Sequence, residues 1–231
     1  MPASPLDPAR VTTLTLDCYG TLIDWEAGAV EALRPLLTRH GTALSDDEIV
    51  AAFQDIEAPL CEPPYRPYRA VLAGVVEGFG RRFGFPVAAA EREALAASVP
   101  SWRPFPDTVD ALRALAGRYR LAVISNIDDD LFAATAPRLG VSFDPVVTAE
   151  QARCYKPDPA IFELALRRLG VEPRRVAHVA EGVTEIPPAR RLGCATVWVR
   201  RHGRSARLLT EAPDLEVPDL RSLLPHLDIV G

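Results

Sequence analysis

The sequence predicts an α/β protein: a Rossmann-like parallel sheet with helices on both faces, interrupted after its first strand by an inserted all-helical cap. Short apolar, β-branched runs alternate with amphipathic stretches, the order that builds a parallel sheet with crossover helices. That alternation stops between residues 25 and 98, where only helical periodicity is found. A proline-rich return segment, PSWRPFPD (100–107), then leads back into it. A chain of 231 residues suits one large domain carrying an insert.

Residues 11–16 (VTTLTL) form the first strand and run directly into Asp17. Helices are expected over 27–39, from Ser45 onward, over 68–83 and over 88–98. Ser45 with Glu48 three residues later makes a capping box. After the return segment come helix 108–117, strand 120–124, helix 129–139 and strand 145–148. Helix 159–169, strand 175–179, helix 187–192 and strand 196–199 complete the pattern. The expected division is a core of 1–24 and 100–231 and a cap of 25–99. Ligands of such sheets bind at the carboxyl ends of the strands, so an insert leaving from the end of the first strand roofs that rim.

Composition narrows the function classes. Hydrophobic residues are 48% and charged residues 25% of the chain, ordinary for a globular protein. With 26 basic against 31 acidic residues, the net charge of −5 lacks the basic footprint of a nucleic-acid binder. Apolar runs such as 121–124 and 176–180 are strand-sized, too short to span a bilayer. The opening Met-Pro-Ala-Ser-Pro does not read as a signal peptide. Cys18, Cys61, Cys154 and Cys194 show no CxxC spacing, so free thiols in a reducing cytoplasm are expected, without zinc or disulfides.

Every strand end delivers a polar group to one rim. Asp17 follows the first strand and is succeeded by Gly20 and Thr21. Ser125 and Asn126 end the second. Lys156 precedes Pro157-Asp158-Pro159, where a helix begins, and Glu181 and Glu185 follow strand 175–179. Each alone is consistent with turn or capping chemistry. Together they make a carboxylate nucleophile, hydroxyl and amide donors, a cation and acids, which is an active-site inventory.

The segments DCYGT, SN, YKPDP and the acidic stretch after HVA, in that order, resemble the four motifs of the haloacid dehalogenase (HAD) superfamily over nearly the whole chain. The run DCYGTLIDWE is most similar to the type II 2-haloacid dehalogenase-like branch. The resemblance implies a hydrolase in which Asp17 is the nucleophile and forms a covalent aspartyl intermediate. Thr21, Ser125 and Asn126 then hold its carboxylate and the substrate's oxygens, while Lys156 keeps Asp17 ionised and steadies developing negative charge. Water attacks the ester and frees Asp17.

Two departures choose between reaction types. HAD phosphatases carry a second Asp two residues after the nucleophile to protonate the leaving alkoxide, help worth roughly 10²–10⁴-fold. This chain has Tyr19 there, and a halide needs no proton to leave. The metal-binding Asp of the fourth motif is replaced by Glu181, with Glu185 four residues on. The expected reaction is therefore dehalogenation of a short 2-haloalkanoic acid without cofactor or metal. The alternatives are a Mg²⁺-dependent phosphatase, with Asp17 and Glu181 on the ion, and a catalytically weak HAD-fold binding protein.

Typical L-2-haloacid dehalogenases grip the substrate carboxylate with an Arg early in the cap, and residues 48–57 contain none. The segment Tyr65-Arg66-Pro67-Tyr68-Arg69 supplies candidates: Arg66 or Arg69 for a small anionic substrate, with Tyr65, Tyr68 and Tyr19 beside it. A surface arginine pair packed on tyrosines is the other reading. Phe162 stands where those enzymes carry Tyr, and their fourth-motif Ser and Asn are absent. His178 reads as a structural imidazole, Cys18 as a buried thiol, and Trp25 and Trp102 as flanking the cap hinges. The basic run from Arg200 through Arg201, His202 and Gly203 to Arg204 reads as a solvated loop. A homodimer through the cap helices is compatible with the resemblance.

Overall fold

The computed structural model of the protein describes residues 6–203 and 209–229. Six strands, β1 (Thr13–Leu16), β2 (Arg120–Ser125), β3 (Val146–Thr148), β4 (Val176–Ala180), β5 (Ala195–Val199) and β6 (Leu215–Val217), form one parallel sheet. Its order is β3-β2-β1-β4-β5-β6. The chain builds outward from β1 to β3, then returns to the other side of β1 with β4. That reversal opens a crevice at the carboxyl ends of β1 and β4.

The inner strands are buried on both faces, as a parallel sheet covered by helices on both sides must be. Their polar members are paired across the sheet. Thr15 of β1 lies in register with His178 of β4, and Thr15 Oγ1 is 3.0 Å from His178 Nδ1.

Between β1 and the next core helix run four helices, α1 (Trp25–Arg39), α2 (Asp46–Leu60), α3 (Tyr68–Phe83) and α4 (Ala89–Ser98). Asp24 caps α1 through its Oδ1, and the expected Ser45–Glu48 capping box is formed in both directions. Gly28 in α1 allows a close approach: a Cβ there would lie 2.4 Å from the Trp102 ring. The indole therefore packs directly on the helix backbone. The apolar core continues without a break from Leu14, Leu16 and Leu22 into Val71, Leu72 and Phe79 of α3.

Helices α5 (Thr108–Ala116), α6 (Asp129–Thr135), α7 (Ala149–Ala152), α8 (Pro159–Leu169) and α9 (Ile186–Arg191) cover the sheet. The expected helix 129–139 tightens after Thr135 into a 3₁₀ turn, where Pro137 follows. Strand β6 and the terminal 3₁₀ segment Arg221–Leu227 were not expected from sequence. Among the described residues no helix is long and apolar enough to cross a membrane.

Candidate active site at the strand ends

Leu16 lies in register with Val123 of β2 and Val179 of β4. Asp17, Ser125 and Glu181 consequently leave three neighbouring strands at the same rim. Gly20, with φ +102°, turns the loop after Asp17 back on itself, a conformation open to Gly and costly for other residues.

Asp17 is buried and its two oxygens are held separately. Thr21 Oγ1 donates to Oδ2 at 2.6 Å, and Lys156 Nζ donates to Oδ1 at 2.5 Å. The Thr21 hydroxyl accepts from the Glu181 backbone N–H at 2.8 Å, which aims its proton at Asp17. Lys156 Nζ also donates to Ile124 O at 2.9 Å and lies 2.8 Å from Glu185 Oε2. Glu185 Oε2 in turn is 3.0 Å from His178 Nε2. A buried chain therefore runs from Asp17 through Lys156, Glu185 and His178 to Thr15, and His178 serves inside it as a structural imidazole.

The charges divide unequally over this chain. Burial pushes Asp17 above the usual carboxylate range, against the pull of Lys156. Burial also opposes charge on Lys156, but Asp17 and Glu185 outweigh it and hold the ammonium above its ordinary value. Glu185, likewise buried, is drawn below its ordinary value by Lys156 and His178. One cation thus serves two carboxylates, and Asp17 is the one that accepts a proton first as pH falls.

The site opens into two connected spaces. An inner chamber of about 180 Å³ holds Asp17, Ser125 and Glu185, walled by Trp25, Phe53 and Trp102. An outer vestibule of about 760 Å³ includes Tyr65, Arg153 and Asp158. Glu57, Tyr68, Asn126 and Lys156 line both. Ser125 Oγ is buried and, among the described residues, has no hydrogen-bond partner. Tyr19 lines the inner chamber with its hydroxyl 2.8 Å from Thr135 Oγ1, whose own proton goes to Leu131 O. Burial pushes that phenol far above its ordinary range, so it is a poor proton donor to a leaving group.

Several expected residues sit elsewhere or do other work. Asn126 is spent on Lys156: its Oδ1 accepts from the Lys156 backbone N–H at 2.7 Å and its Nδ2 donates to Lys156 O at 3.2 Å. Arg69 is not brought to the chamber. It lies exposed, its Nη2 donating to Asp130 Oδ2 at 2.5 Å, and it lines neither space. Arg66 is half-buried near Cys61 and lines neither space; its carbonyl accepts from Tyr155 Oη at 2.8 Å. Tyr65 lines the vestibule only. Cys18 is fully buried, and its thiol is pushed well up by burial.

The basic run after β5 departs from the solvated loop expected of it. Arg201 is buried, pairs with both oxygens of Asp107 at 2.7 and 3.1 Å, and donates to Thr21 O at 2.9 Å. Its guanidinium carbon stands 4.2 Å over the Phe105 ring. It therefore fixes the loop that carries Thr21. Arg204 lies outside the described residues. Sequence reasoning also missed Glu57 and Gln54 of α2, which line the inner chamber, and Asp128.

Asp128 follows β2 and is buried. Pro67 at the start of α3 offers no side-chain cap, and Asp128 supplies it from the other side of the crevice. Its Oδ1 accepts from the Tyr68 N–H at 2.7 Å and its Oδ2 from the Arg69 N–H at 2.8 Å. These satisfy donors that a helix start leaves open, and the charge suits the positive end of the helix. Asp128→Ala is expected to lower unfolding free energy by about 2 kcal/mol or more. A urea midpoint within error of wild type would exclude this role.

Sheet order, point of insertion and strand-end groups place the protein in the HAD-like class of α/β hydrolases. The model of the haloacid dehalogenase-like hydrolases matches residues 11–193, and the chain belongs to that family. It is 29% identical over 147 residues to an (S)-2-haloacid dehalogenase of Pseudomonas sp. (strain YL), covering 62% of this chain and 63% of that protein. It is 30% identical over 128 residues to haloacetate dehalogenase H-2 of Moraxella sp. (strain B), covering 54% and 57%. The matched part thus spans under two thirds of either relative. In structure, it superposes on a crystal structure of an L-2-haloacid dehalogenase with a TM-score of 0.81 at 26% identity, covering 94% of this chain and 99% of that one.

Proposed function

We propose that the protein removes halide hydrolytically from C2 of a short 2-haloalkanoic acid or its neutral derivative, with Asp17 as nucleophile and no metal in the step. Here residues 25–99 act as the cap over a core of 1–24 and 100–231. A carboxylate oxygen of Asp17 attacks C2, the carbon–halogen bond breaks, and the halide leaves with the electron pair. Water then adds to the Asp17 carboxyl carbon and the hydroxyalkyl product departs. Halide, product alcohol and one proton account for the substrate and the water. Glu185, kept ionised by Lys156 and His178, lines the same chamber and is the base available to that water.

The observation that carries this reading is the partnering of Asp17. Thr21 and Lys156 orient its oxygens, and Lys156 sustains the negative charge on the ester carbonyl as water adds. At position 19, where a phosphatase carries the acid for its alkoxide leaving group, stands a phenol committed to Thr135. A divalent ion does not fit this donor set. Glu181, the expected partner of Asp17 on an ion, is not among the residues lining the inner chamber, Lys156 Nζ is paired with both Asp17 and Glu185, and among the described residues no three His, Cys, Asp or Glu side chains are grouped to hold a metal. The test is halide release from racemic 2-chloropropionate and 2-chloropropionamide. Release from at least one, unchanged by EDTA, is expected. No release from either, or release that depends on added Mg²⁺, would overturn the reading.

A further inference from the structure

The inner chamber is poor in positive charge for a site that is to admit an anion. Among the described residues the one cation lining it, Lys156, already serves Asp17 and Glu185. The cap contributes a third carboxyl group, Glu57, which faces both the chamber and the vestibule. Arg69, a candidate for gripping a carboxylate, is turned away and paired with Asp130, and Arg66 lines neither space. A carboxylate that reaches the inner chamber meets Asp17, Glu57 and Glu185, and among the described residues no guanidinium lines it; Arg153 lines only the vestibule, where its guanidinium stands 4.4 Å over the Tyr65 ring. The carboxylate's charge would be desolvated with no cation but Lys156 beside it, and Lys156 is already paired twice.

What the chamber offers instead is a donor and an acceptor. Tyr68 Oη donates to Glu57 Oε1 at 2.5 Å, which fixes the carboxyl group, and Oε2 accepts no hydrogen bond among the described residues. Ser125 Oγ, buried and without a hydrogen-bond partner among the described residues, lines the same chamber. Burial holds the Glu57 carboxyl above its ordinary range, and a carboxyl group in either protonation state can receive an amide N–H. A primary carboxamide matches the pair, its N–H₂ going to Glu57 and its carbonyl oxygen accepting from Ser125. It also keeps a carbonyl beside C2, which activates that carbon toward displacement as a simple alcohol would not.

Resting on the dehalogenase reading, we infer that Glu57 and Ser125 select an uncharged head group, and that the substrate is a short 2-haloalkanamide in place of the 2-haloalkanoate. Asp17 attacks C2, halide leaves, and water returns Asp17 while releasing the 2-hydroxyamide. A site that hydrogen-bonds a substrate N–H discriminates strongly against an analogue that lacks it.

The experiment compares wild type, Glu57→Gln and Glu57→Leu. Bromide release is followed from 2-bromopropionamide and 2-bromopropionate, and thermal shifts are measured with the unreactive products lactamide and lactate. For wild type, kcat/KM for the amide is expected to exceed that for the acid by at least about tenfold, and lactamide to raise Tm where lactate does not. Glu57→Leu should lose the amide preference through KM, and Glu57→Gln should retain amide turnover while gaining on the acid. Faster turnover of the acid by wild type would overturn the head-group assignment and leave the dehalogenase reading standing. No bromide from either substrate would overturn the dehalogenase reading, and the lactamide–lactate comparison would still decide the head group. Stabilisation by lactate alone would overturn it.

Discussion

Asp17→Asn is expected to leave a folded protein with halide release lowered by at least about 10⁴-fold, since the proposed route has Asp17 as its nucleophile and the substitution takes that covalent route away. Asn keeps the shape of Asp, Thr21 can still donate to its amide oxygen, and Lys156 retains Glu185 as a counterion. The loss is therefore chemical. A second readout separates covalent from direct attack by water. In a single turnover in H₂¹⁸O, the product should carry an oxygen that came from Asp17, and the label should appear in the Asp17 carboxylate. Label found first in the product would mean that water attacks C2 itself.

Lys156→Met should damage both stability and pH response. It leaves Asp17 and Glu185, both within 2.8 Å of the lost ammonium, as neighbouring buried carboxyl groups. Removing one partner of a buried ion pair costs about 3–5 kcal/mol, reduced here to the extent that one carboxyl takes up a proton. The sign of the pH effect follows from Asp17. Its pKa is already raised by burial, and the proposed reaction needs its ionised form, so activity is expected to be lost as pH falls through that raised value. Without Lys156 the group holds its proton to still higher pH, and the acid limb of kcat/KM should move upward. A variant with an unmoved acid limb and wild-type unfolding free energy would show that Lys156 carries neither load.

Much of this site could be read without coordinates because it lies on strand ends. The apolar runs that became β1, β2, β4 and β5 fix where Asp17, Ser125 and Glu181 leave the sheet, and parallel pairing brings those ends together. Strand β6 escaped because Leu215–Val217 is three residues long and lies between Pro213 and Pro218, too short for an alternation to register. Residues whose roles depend on distant partners were hidden in a different way. Arg201 sits in an arginine-rich stretch that reads as solvent-facing, while its partner Asp107 is 94 residues earlier. It does stand two residues past the end of β5, on the rim that delivered the others, and that position was the available signal. Glu57 is one of several acids on α2, and helical periodicity does not say which of them the insert turns toward the strand ends. Arg69 invited a local reading that its exposed pairing with Asp130 does not support.

The contact between Asp128 and α3 also bears on traffic. Two chain crossings already join the helical insert to the sheet, and the buried carboxylate adds a tether to those made by Tyr155 on the Arg66 carbonyl and by Asp130 on Arg69. Lifting the helices away would strip Asp128 of the Tyr68 and Arg69 amides that it holds. Small molecules are then expected to reach Asp17 along the standing passage past Tyr65 and Tyr155, so the cross-section of that passage, and not the energetics of a swinging lid, sets an upper bound on substrate size. The Asp128→Ala protein would in that case gain on long-chain 2-halo compounds relative to short ones even as it loses stability, and the passage would act as a sieve that the fold keeps at fixed mesh.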